Sequence, residues 1–210
     1  MLDGSVFAVT DLGPWDPLRP EQLPELFGDL GARWWLSGGW SLDLLVGRET
    51  RRHSDIDVTI LRPEIGVVRA YLSSWDLHVA DPPGSGRLRP WDIGSDLAPE
   101  LHDVWCRPSA REPWRVQLMV NDLASGEWVY RRDPRITRPL ATLTGRASTA
   151  SMAVLAPDVQ LLYKSTHLRT KDDTDFVRVL PLLDADERRW LHDALCLSAP
   201  GHPWIGPLSG

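Results

Sequence analysis

Two aspartates separated by one residue form the first pair in the sequence that could carry chemistry. Asp55 and Asp57 lie in a segment whose apolar–polar alternation over Ile56–Leu61 predicts a β-strand. Residues two apart on a strand point to the same side, so we expect both carboxylates to project into one pocket. Neighbouring carboxylates repel each other unless a cation lies between them, and Mg²⁺ binds such oxygens together with substrate phosphates. The pair predicts a Mg²⁺ site, although an exposed polar strand edge carries the same pattern.

A serine followed by two glycines precedes this pair and could bind phosphate. Glycine lets the backbone approach an anion closely, and the helix that follows directs free N–H groups toward it. We therefore expect Ser37, Gly38 and Gly39 to bind phosphate, although such a sequence is often only a turn. Basic side chains between the turn and the aspartates could donate hydrogen bonds to a polyphosphate: Arg48, Arg51, Arg52 and His53. Of these we assign Arg52 and His53 to the binding site.

Regular elements must position these groups. The apolar run Arg33–Leu36 predicts a buried strand, and Trp40–Val46 predicts a helix that Gly47 ends. A helix is predicted over Glu64–Ser73, and strands are predicted over Leu77–Ala80, Val104–Arg107, Trp114–Val120 and, as a short strand, Trp128–Tyr130. The segment between the strands Leu77–Ala80 and Val104–Arg107 is predicted to be a long irregular loop. From Pro157 the pattern predicts three helices, the last of which is capped by Asp184 or Asp186. The sequence thus predicts an α+β region over residues 1–148 and a small helical region over residues 149–210.

The segment Leu36–Leu61 as a whole resembles a known signature. Its GGW, an acidic residue in the helix (Asp43), the GRxTR run and the HxDID ending are similar to the motif of aminoglycoside 2″-nucleotidyltransferases, and more loosely to that of lincosamide nucleotidyltransferases. Both belong to the nucleotidyltransferase superfamily with a polymerase-β-like core. The resemblance implies a mixed β-sheet with flanking helices, Asp55 and Asp57 as Mg²⁺ ligands, and transfer of a nucleoside monophosphate from a nucleoside triphosphate to a hydroxyl of a small molecule.

The resemblance also implies a third carboxylate on a later strand, and the matching position in WRVQLMVND holds Gln117. Glutamine takes no proton from a hydroxyl and is a poorer Mg²⁺ ligand than a carboxylate. Another acid could serve in its place, with Asp122 as our choice and Glu127 or Asp103 as alternatives. Otherwise turnover is slow, or the protein binds nucleotide without efficient transfer. The second function to consider is therefore a nucleotide-binding regulator of the toxin–antitoxin type.

A charged group in the helical region resembles the helix that follows the catalytic domain in several nucleotidyltransferase families. The resemblance implies that the side chain of Lys164 reaches the triphosphate. Asp172 and Asp175 are three residues apart and share one helical face, so they could orient the lysine or a basic loop. Asp172 could equally be the N-cap of its helix.

The composition limits the other partners. A net charge of −6 argues against a broad basic surface for nucleic acid. Cys106 and Cys196 form no metal-binding or disulfide pattern, no apolar run is long enough for a membrane span, and the first residues do not resemble a signal peptide. We therefore expect a cytoplasmic protein. The resemblance implies that its partners are a nucleoside triphosphate and a small hydroxylated acceptor.

Overall fold

A computed structural model describes residues 12–92 and 94–209. The signal-peptide expectation rests on residues 1–13, of which residues 1–11 lie outside the described residues. Within the described ranges the strands are β1 (Trp34–Ser37), β2 (Asp57–Leu61), β3 (Asp76–Ala80), β4 (Leu88–Pro90), β5 (Asp103–Arg107), β6 (Val116–Ala124), β7 (Glu127–Val129) and β8 (Thr137–Pro139). The α-helices are α1 (Leu23–Phe27), α2 (Gly38–Val46), α3 (Ile65–Tyr71), α4 (Pro157–Lys164), α5 (Thr170–Val179), α6 (Ala185–Ser198) and α7 (Ile205–Leu208). The predicted α+β class is confirmed.

The strands form one mixed sheet in the order β1-β2-β6-β5-β3-β4, and β7 and β8 extend it from the second half of β6. β2 and β6 are parallel, whereas the other pairs are antiparallel. The register places Ser37 opposite Asp57, and Asp57 opposite Gln117. On the next strand Trp105 lies opposite Gln117, and Asp103 lies opposite Met119. Residues that carry the predicted chemistry thus meet on adjacent strands.

The two faces of the sheet have different environments. Val58, Val104 and Leu118 point to one face and are fully buried in a core that includes residues of α1 and α3. Asp57 and Gln117 alternate with these residues along their strands, so they point to the opposite face. A second apolar cluster joins α4, α5 and α6 to residues of β1 and α2. The helical region therefore packs against the amino-terminal elements that carry the predicted site.

Several predicted boundaries need correction. The helix α2 begins at Gly38, so the predicted turn shortens to Ser37 as its N-cap. Gly38 permits this abrupt change because it has a φ of 71°. The loop predicted to be irregular contains β4, and the sequence pattern gives no sign of β8. These two strands have three residues each, too few for a periodic pattern to show.

The structure identifies the N-cap residues of α5 and α6. Asp184 caps α6, because its side chain accepts hydrogen bonds from the N–H of Asp186 (3.0 Å) and the N–H of Glu187 (2.9 Å). Asp172 is not an N-cap, since it lies inside α5, whose N-cap is Arg169. No helix among residues 12–92 and 94–209 is long and apolar enough to cross a membrane.

Candidate active site

A cavity of about 290 Å³ lies between the polar face of the sheet and the helical region. The amino-terminal half of the chain contributes Ser37, Gly38, Gly39, Arg51, Asp55, Asp57, His102 and Asp103 to its lining, and the remainder contributes Gln117, Met119, Asn121, Arg131, Arg132, Gln160, Tyr163, Lys164, His167, Arg169 and Lys171, among others. The serine–glycine turn, both aspartates and the helical lysine predicted from sequence are thus in one place.

The glycines of the turn are required by what packs against them. A Cβ atom on Gly38 would overlap the carboxylate of Asp57, and one on Gly39 would overlap the ring of His53. The carboxylate of Asp57 therefore points at the turn. The N–H of Gly38 donates to Oε1 of Gln160 at 2.7 Å. The buried hydroxyl of Ser37 has no hydrogen-bond partner among the described residues.

Asp55 and Asp57 both line the cavity, although β2 begins only at Asp57. Strand periodicity therefore does not apply to Asp55, which lies in the loop before the strand. Enclosure by protein raises the pKa of Asp57 to about 7, and the carboxylates of Asp55 and Asp103 act in the same direction, against Lys164 and Lys171. Asp57 is therefore in an environment in which a cation would be favourable.

Asp55 and Asp57 supply only part of a Mg²⁺ ligand set, which water or the substrate would complete. Among the described residues, no group of three or more His, Cys, Asp or Glu side chains is arranged to hold a metal ion. Mg²⁺ commonly binds through one or two carboxylates together with substrate phosphates and water. The carboxylates of Asp55 and Asp57, next to the turn predicted to bind phosphate, match that pattern.

His53 and Arg52 do not line the cavity, whereas Arg51 does. The Nε2 atom of His53 lies 2.7 Å from a carboxylate oxygen of Asp43, and its Nδ1 lies 3.2 Å from a guanidinium nitrogen of Arg51. Because a guanidinium only donates, Nδ1 accepts and the ring proton is on Nε2. The side chain of His53 is 2% exposed and its ring packs on Trp40 at 4.4 Å between centroids. His53 thus positions Arg51 instead of contacting a ligand in the cavity.

The same network accounts for the spacing of residues within the signature. Asp43 also accepts hydrogen bonds from the N–H of Thr50 (2.9 Å) and from its hydroxyl (2.6 Å). Burial alone would raise the pKa of Asp43, but the hydrogen bonds from Thr50 and His53 outweigh it and hold that pKa below its usual value. An ionised aspartate in α2 therefore fixes the basic loop against the turn.

Lys164 lies in a buried charge network at the edge of the cavity. Its Nζ atom is 3.1 Å from Asp172 and 2.9 Å from Asp175. Asp172 also pairs with Arg169 at 2.6 Å, and Asp175 pairs with Arg51 at 3.2 Å. The two carboxylates are 0% and 4% exposed, so they are well shielded from water. One helical face of α5 thus holds three cations at the cavity, in agreement with the spacing of its aspartates.

The acids considered as replacements for Gln117 occupy different places. Asp122 forms an ion pair with Arg62 and does not line the cavity. Glu127 accepts a hydrogen bond from the hydroxyl of Thr137 at 2.9 Å and does not line the cavity either. Asp103 does line it. Positions 117 and 122 are an odd number of residues apart, so their side chains start from opposite faces of β6.

Comparison with known proteins gives matches to the amino-terminal region of the chain. Residues 21–79 match the family model described as aminoglycoside-2''-adenylyltransferase. A 2''-aminoglycoside nucleotidyltransferase from Klebsiella pneumoniae is 32% identical over 78 residues, which cover 37% of this chain and 42% of the relative. A lincosamide resistance protein from Staphylococcus haemolyticus is 44% identical over 34 residues, which cover 16% of this chain and 21% of the relative. The matches therefore span less than half of these relatives.

Two solved structures are similar over most of the chain. The lincomycin-bound lincosamide antibiotic adenylyltransferase LnuA has a TM-score of 0.54 at 17% identity, covering 80% of this chain and 100% of that one. ANT(2")-Ia in complex with adenylyl-2"-tobramycin has a TM-score of 0.51 at 15% identity, and the match covers 85% of this chain and 96% of that one. The resemblance drawn from the signature is confirmed, and the similarity of fold extends well beyond residues 21–79.

Proposed function

Because the chain has a nucleotidyltransferase fold and carries the matching signature within residues 21–79, we propose that it transfers a nucleoside monophosphate from a Mg²⁺-bound nucleoside triphosphate to a hydroxyl of a small molecule. The observation that carries the proposal is the packing of the Asp57 carboxylate against Gly38. This contact brings a cation-binding group to the phosphate-binding turn. The acceptor oxygen bonds to the α-phosphorus. The bond from the α-phosphorus to the oxygen shared with the β-phosphate breaks, and pyrophosphate leaves.

Different residues of the cavity have different roles in the proposed reaction. Ser37 and the backbone N–H of Gly39 at the start of α2 hold phosphate oxygens, since the N–H of Gly38 already donates to Gln160. Asp55 and Asp57 would hold Mg²⁺, which would offset the negative charge of the phosphates. Lys164 and Arg51, fixed by the aspartates of α5, stabilise the charge that develops on pyrophosphate. Such a site acts through positioning and charge.

A direct transfer assay tests the proposal. The protein is incubated with Mg²⁺, each of the four nucleoside triphosphates labelled at the α-phosphate, and either lincomycin or tobramycin. We expect the label to move to an acceptor with release of pyrophosphate. Tight nucleotide binding by calorimetry, without transfer to these or other hydroxylated small molecules, would contradict the proposal.

That negative result would favour a second function, a nucleotide-binding regulator that labels itself or another protein slowly. Gln117 supports this alternative, because it occupies the position opposite Asp57 where the resemblance implies a carboxylate. Label that stays on the protein chain in the same assay would identify it.

The charge of the cavity leads to a prediction about the acceptor. Arg131, Arg132 and Lys171 line the cavity, and none has a carboxylate within ion-pair distance among the described residues. These three side chains lie outside the segment that matches the aminoglycoside family. An acceptor with several ammonium groups would place like charges next to them, which is unfavourable. We expect kcat/KM to be at least about tenfold higher for lincomycin, with one basic amine, than for tobramycin, which corresponds to ~1.4 kcal/mol.

Neutralising the two arginines of this group should reduce the preference for lincomycin over tobramycin. The double change Arg131→Gln/Arg132→Gln is expected to raise the relative activity toward tobramycin. The matched control is Arg135→Gln, since Arg135 lies outside the cavity and pairs with Asp133 at 2.6 Å. A wild-type preference for tobramycin would refute the electrostatic argument.

The raised pKa of Asp57 predicts how Mg²⁺ binding depends on pH. In the metal-free protein the pKa is about 7, against an ordinary value of 3.8, so the folded state binds a proton between these two values. The contribution of Asp57 to stability is therefore complete below the lower value and is lost as the pH rises through about 7. Mg²⁺ must displace this proton, so its affinity should fall roughly tenfold per pH unit below 7.

Thermal denaturation measures this effect. We expect Mg²⁺ to raise the Tm clearly at pH 8 and much less at pH 5.5, relative to KCl at matched ionic strength, and the Asp57→Asn variant to lose the difference. Equal Mg²⁺ stabilisation at both pH values in the wild-type protein would contradict the assignment of Asp57.

A further inference from the structure

A glutamine of α4 occupies one of the hydrogen-bond donors at the serine–glycine turn. The N–H of Gly38, the first residue of α2, donates to Oε1 of Gln160 at 2.7 Å. The first N–H groups of a helix have no partner within the helix, and these are the groups with which a helix binds an anion. Gln160 therefore withholds one such donor from any ligand in the cavity.

The same side chain has donors of its own, and they point into the cavity. A primary amide carries one acceptor oxygen and an NH2 group with two donors. Since an N–H only donates, Oε1 of Gln160 must face Gly38, which directs Nε2 elsewhere. Gln160 is 7% exposed and lines the cavity. Its Nε2 makes no hydrogen bond to any described residue, yet this atom keeps accessible surface. The NH2 group of a nearly buried side chain is thus open to a ligand.

The surroundings of this NH2 group suit a phosphate oxygen. Gln160 and Lys164 are four residues apart on α4, so they share one helical face, and both line the cavity. Oε1 and Nε2 belong to one planar group, so Nε2 lies directly beside the turn. Because Arg51 and Lys171 line the same cavity, its charge favours an anion, and polyphosphate oxygens accept hydrogen bonds.

We propose, on the basis of the proposed function, that Gln160 binds the triphosphate through Nε2 and so replaces the N–H of Gly38 that its Oε1 occupies. The amide accepts a hydrogen bond from the backbone of α2 and donates one to a phosphate oxygen. The helix α4 then contributes two donors side by side, the neutral amide of Gln160 and the ammonium of Lys164. The helical region thereby takes part in phosphate binding at the turn itself.

Calorimetry with inorganic tripolyphosphate, and with the nucleoside triphosphate that binds best, tests this role without any transfer reaction. With Mg²⁺ at pH 8, we expect Gln160→Met to weaken the binding of both ligands about tenfold, since a hydrogen bond to a charged group is lost. Methionine fills the space of the amide, so the N–H of Gly38 does not become free for the ligand. An equal loss for both ligands would place the contact on the phosphates.

Gln22 provides the matched control. Its Oε1 also accepts a hydrogen bond from a backbone N–H, that of Arg19 at 2.8 Å, but Gln22 does not line the cavity. We expect Gln22→Met to bind both ligands within about twofold of wild type, because a change outside the cavity removes no contact with them.

Nuclear magnetic resonance separates a donor to phosphate from a residue that only caps α2. In ¹⁵N-labelled protein, the side-chain NH2 signals of Gln160 are identified by their absence from Gln160→Met. We expect these signals to shift downfield when tripolyphosphate or the nucleoside triphosphate binds. A residue that only holds the turn in place would change the affinity without such a shift.

The outcomes distinguish this inference from the proposed function. A wild-type protein that binds neither ligand overturns both. If the wild type binds, the role of Gln160 alone is overturned when Gln160→Met binds as tightly, when only the nucleoside triphosphate binds more weakly, when Gln22→Met loses as much, or when the NH2 signals do not shift. A melting curve checks folding. Gln160→Glu, which keeps an acceptor for Gly38 but loses the donors, replaces Gln160→Met if the latter does not fold.

Discussion

The Asp57→Asn variant is expected to lose about 1,000-fold of its transfer rate, or ~4 kcal/mol of transition-state stabilisation. Asparagine has nearly the same shape but removes the charge that holds the cation at the glycine turn. The loss should appear in kcat and in Mn²⁺ affinity together, because the same carboxylate serves both. Steady-state transfer kinetics and Mn²⁺ titration of the same preparation would measure this.

The control is an aspartate of similar type outside the cavity. Asp122→Asn removes a partly exposed ion pair with Arg62, so we expect little change in rate and only a small change in Tm. An Asp57→Asn variant that retains more than about a tenth of wild-type activity would refute the cation-binding role, since loss of a carboxylate ligand should weaken the metal site far more than that.

The Lys164→Met variant is expected to lose both stability and nucleotide binding. Removing the ammonium leaves the buried carboxylates of Asp172 and Asp175 with only Arg169 and Arg51 as cations. Breaking a buried ion pair on one side costs about 3–5 kcal/mol, and the remaining arginines reduce this to on the order of 2–3 kcal/mol. Loss of a charge-assisted hydrogen bond to phosphate should raise the KM for the nucleotide at least about tenfold.

Lys171 offers a matched lysine on the same cavity. It has no ion-pair partner among the described residues, so Lys171→Met should leave the Tm within about a degree of wild type, as surface changes usually do. Chemical denaturation and nucleotide titration of both variants would separate the two effects. If Lys164→Met unfolds at the wild-type denaturant concentration, the buried network does not contribute the expected stability.

The sequence by itself predicts many of the residues that line the cavity. The serine–glycine turn, Asp55, Asp57 and Lys164 follow from residue type, spacing and the resemblance they carry, and all of them line one cavity. Two of the arguments rest on local geometry that the structure retains: a turn that only glycine accommodates and two aspartates on one helical face. Such features depend on neighbouring residues, so a sequence is enough to find them. The strand period does not apply to Asp55, which precedes β2.

The assignment of roles inside the basic loop required the tertiary structure. The sequence offers Arg48, Arg51, Arg52 and His53 as equivalent donors, and our choice of Arg52 and His53 is not supported by their positions outside the cavity lining. The outcome depends on Asp43 in α2, which holds His53 and thereby turns Arg51 toward the cavity. A loop has no fixed period, so its side-chain directions follow from the partners that packing supplies.

The choice between Asp122 and Asp103 as the third carboxylate also depends partly on sequence and partly on tertiary structure. The sequence alone indicates the α+β class, the order of most elements and the absence of a carboxylate at position 117. Strand parity places Asp122 and Gln117 on opposite faces of β6. Nothing local indicates that Asp103 enters the cavity, because that depends on the pairing of β5 with β6. Period and composition determine which face of a strand a residue occupies, whereas the register between strands distant in sequence decides which residues meet, and only the folded sheet fixes that register.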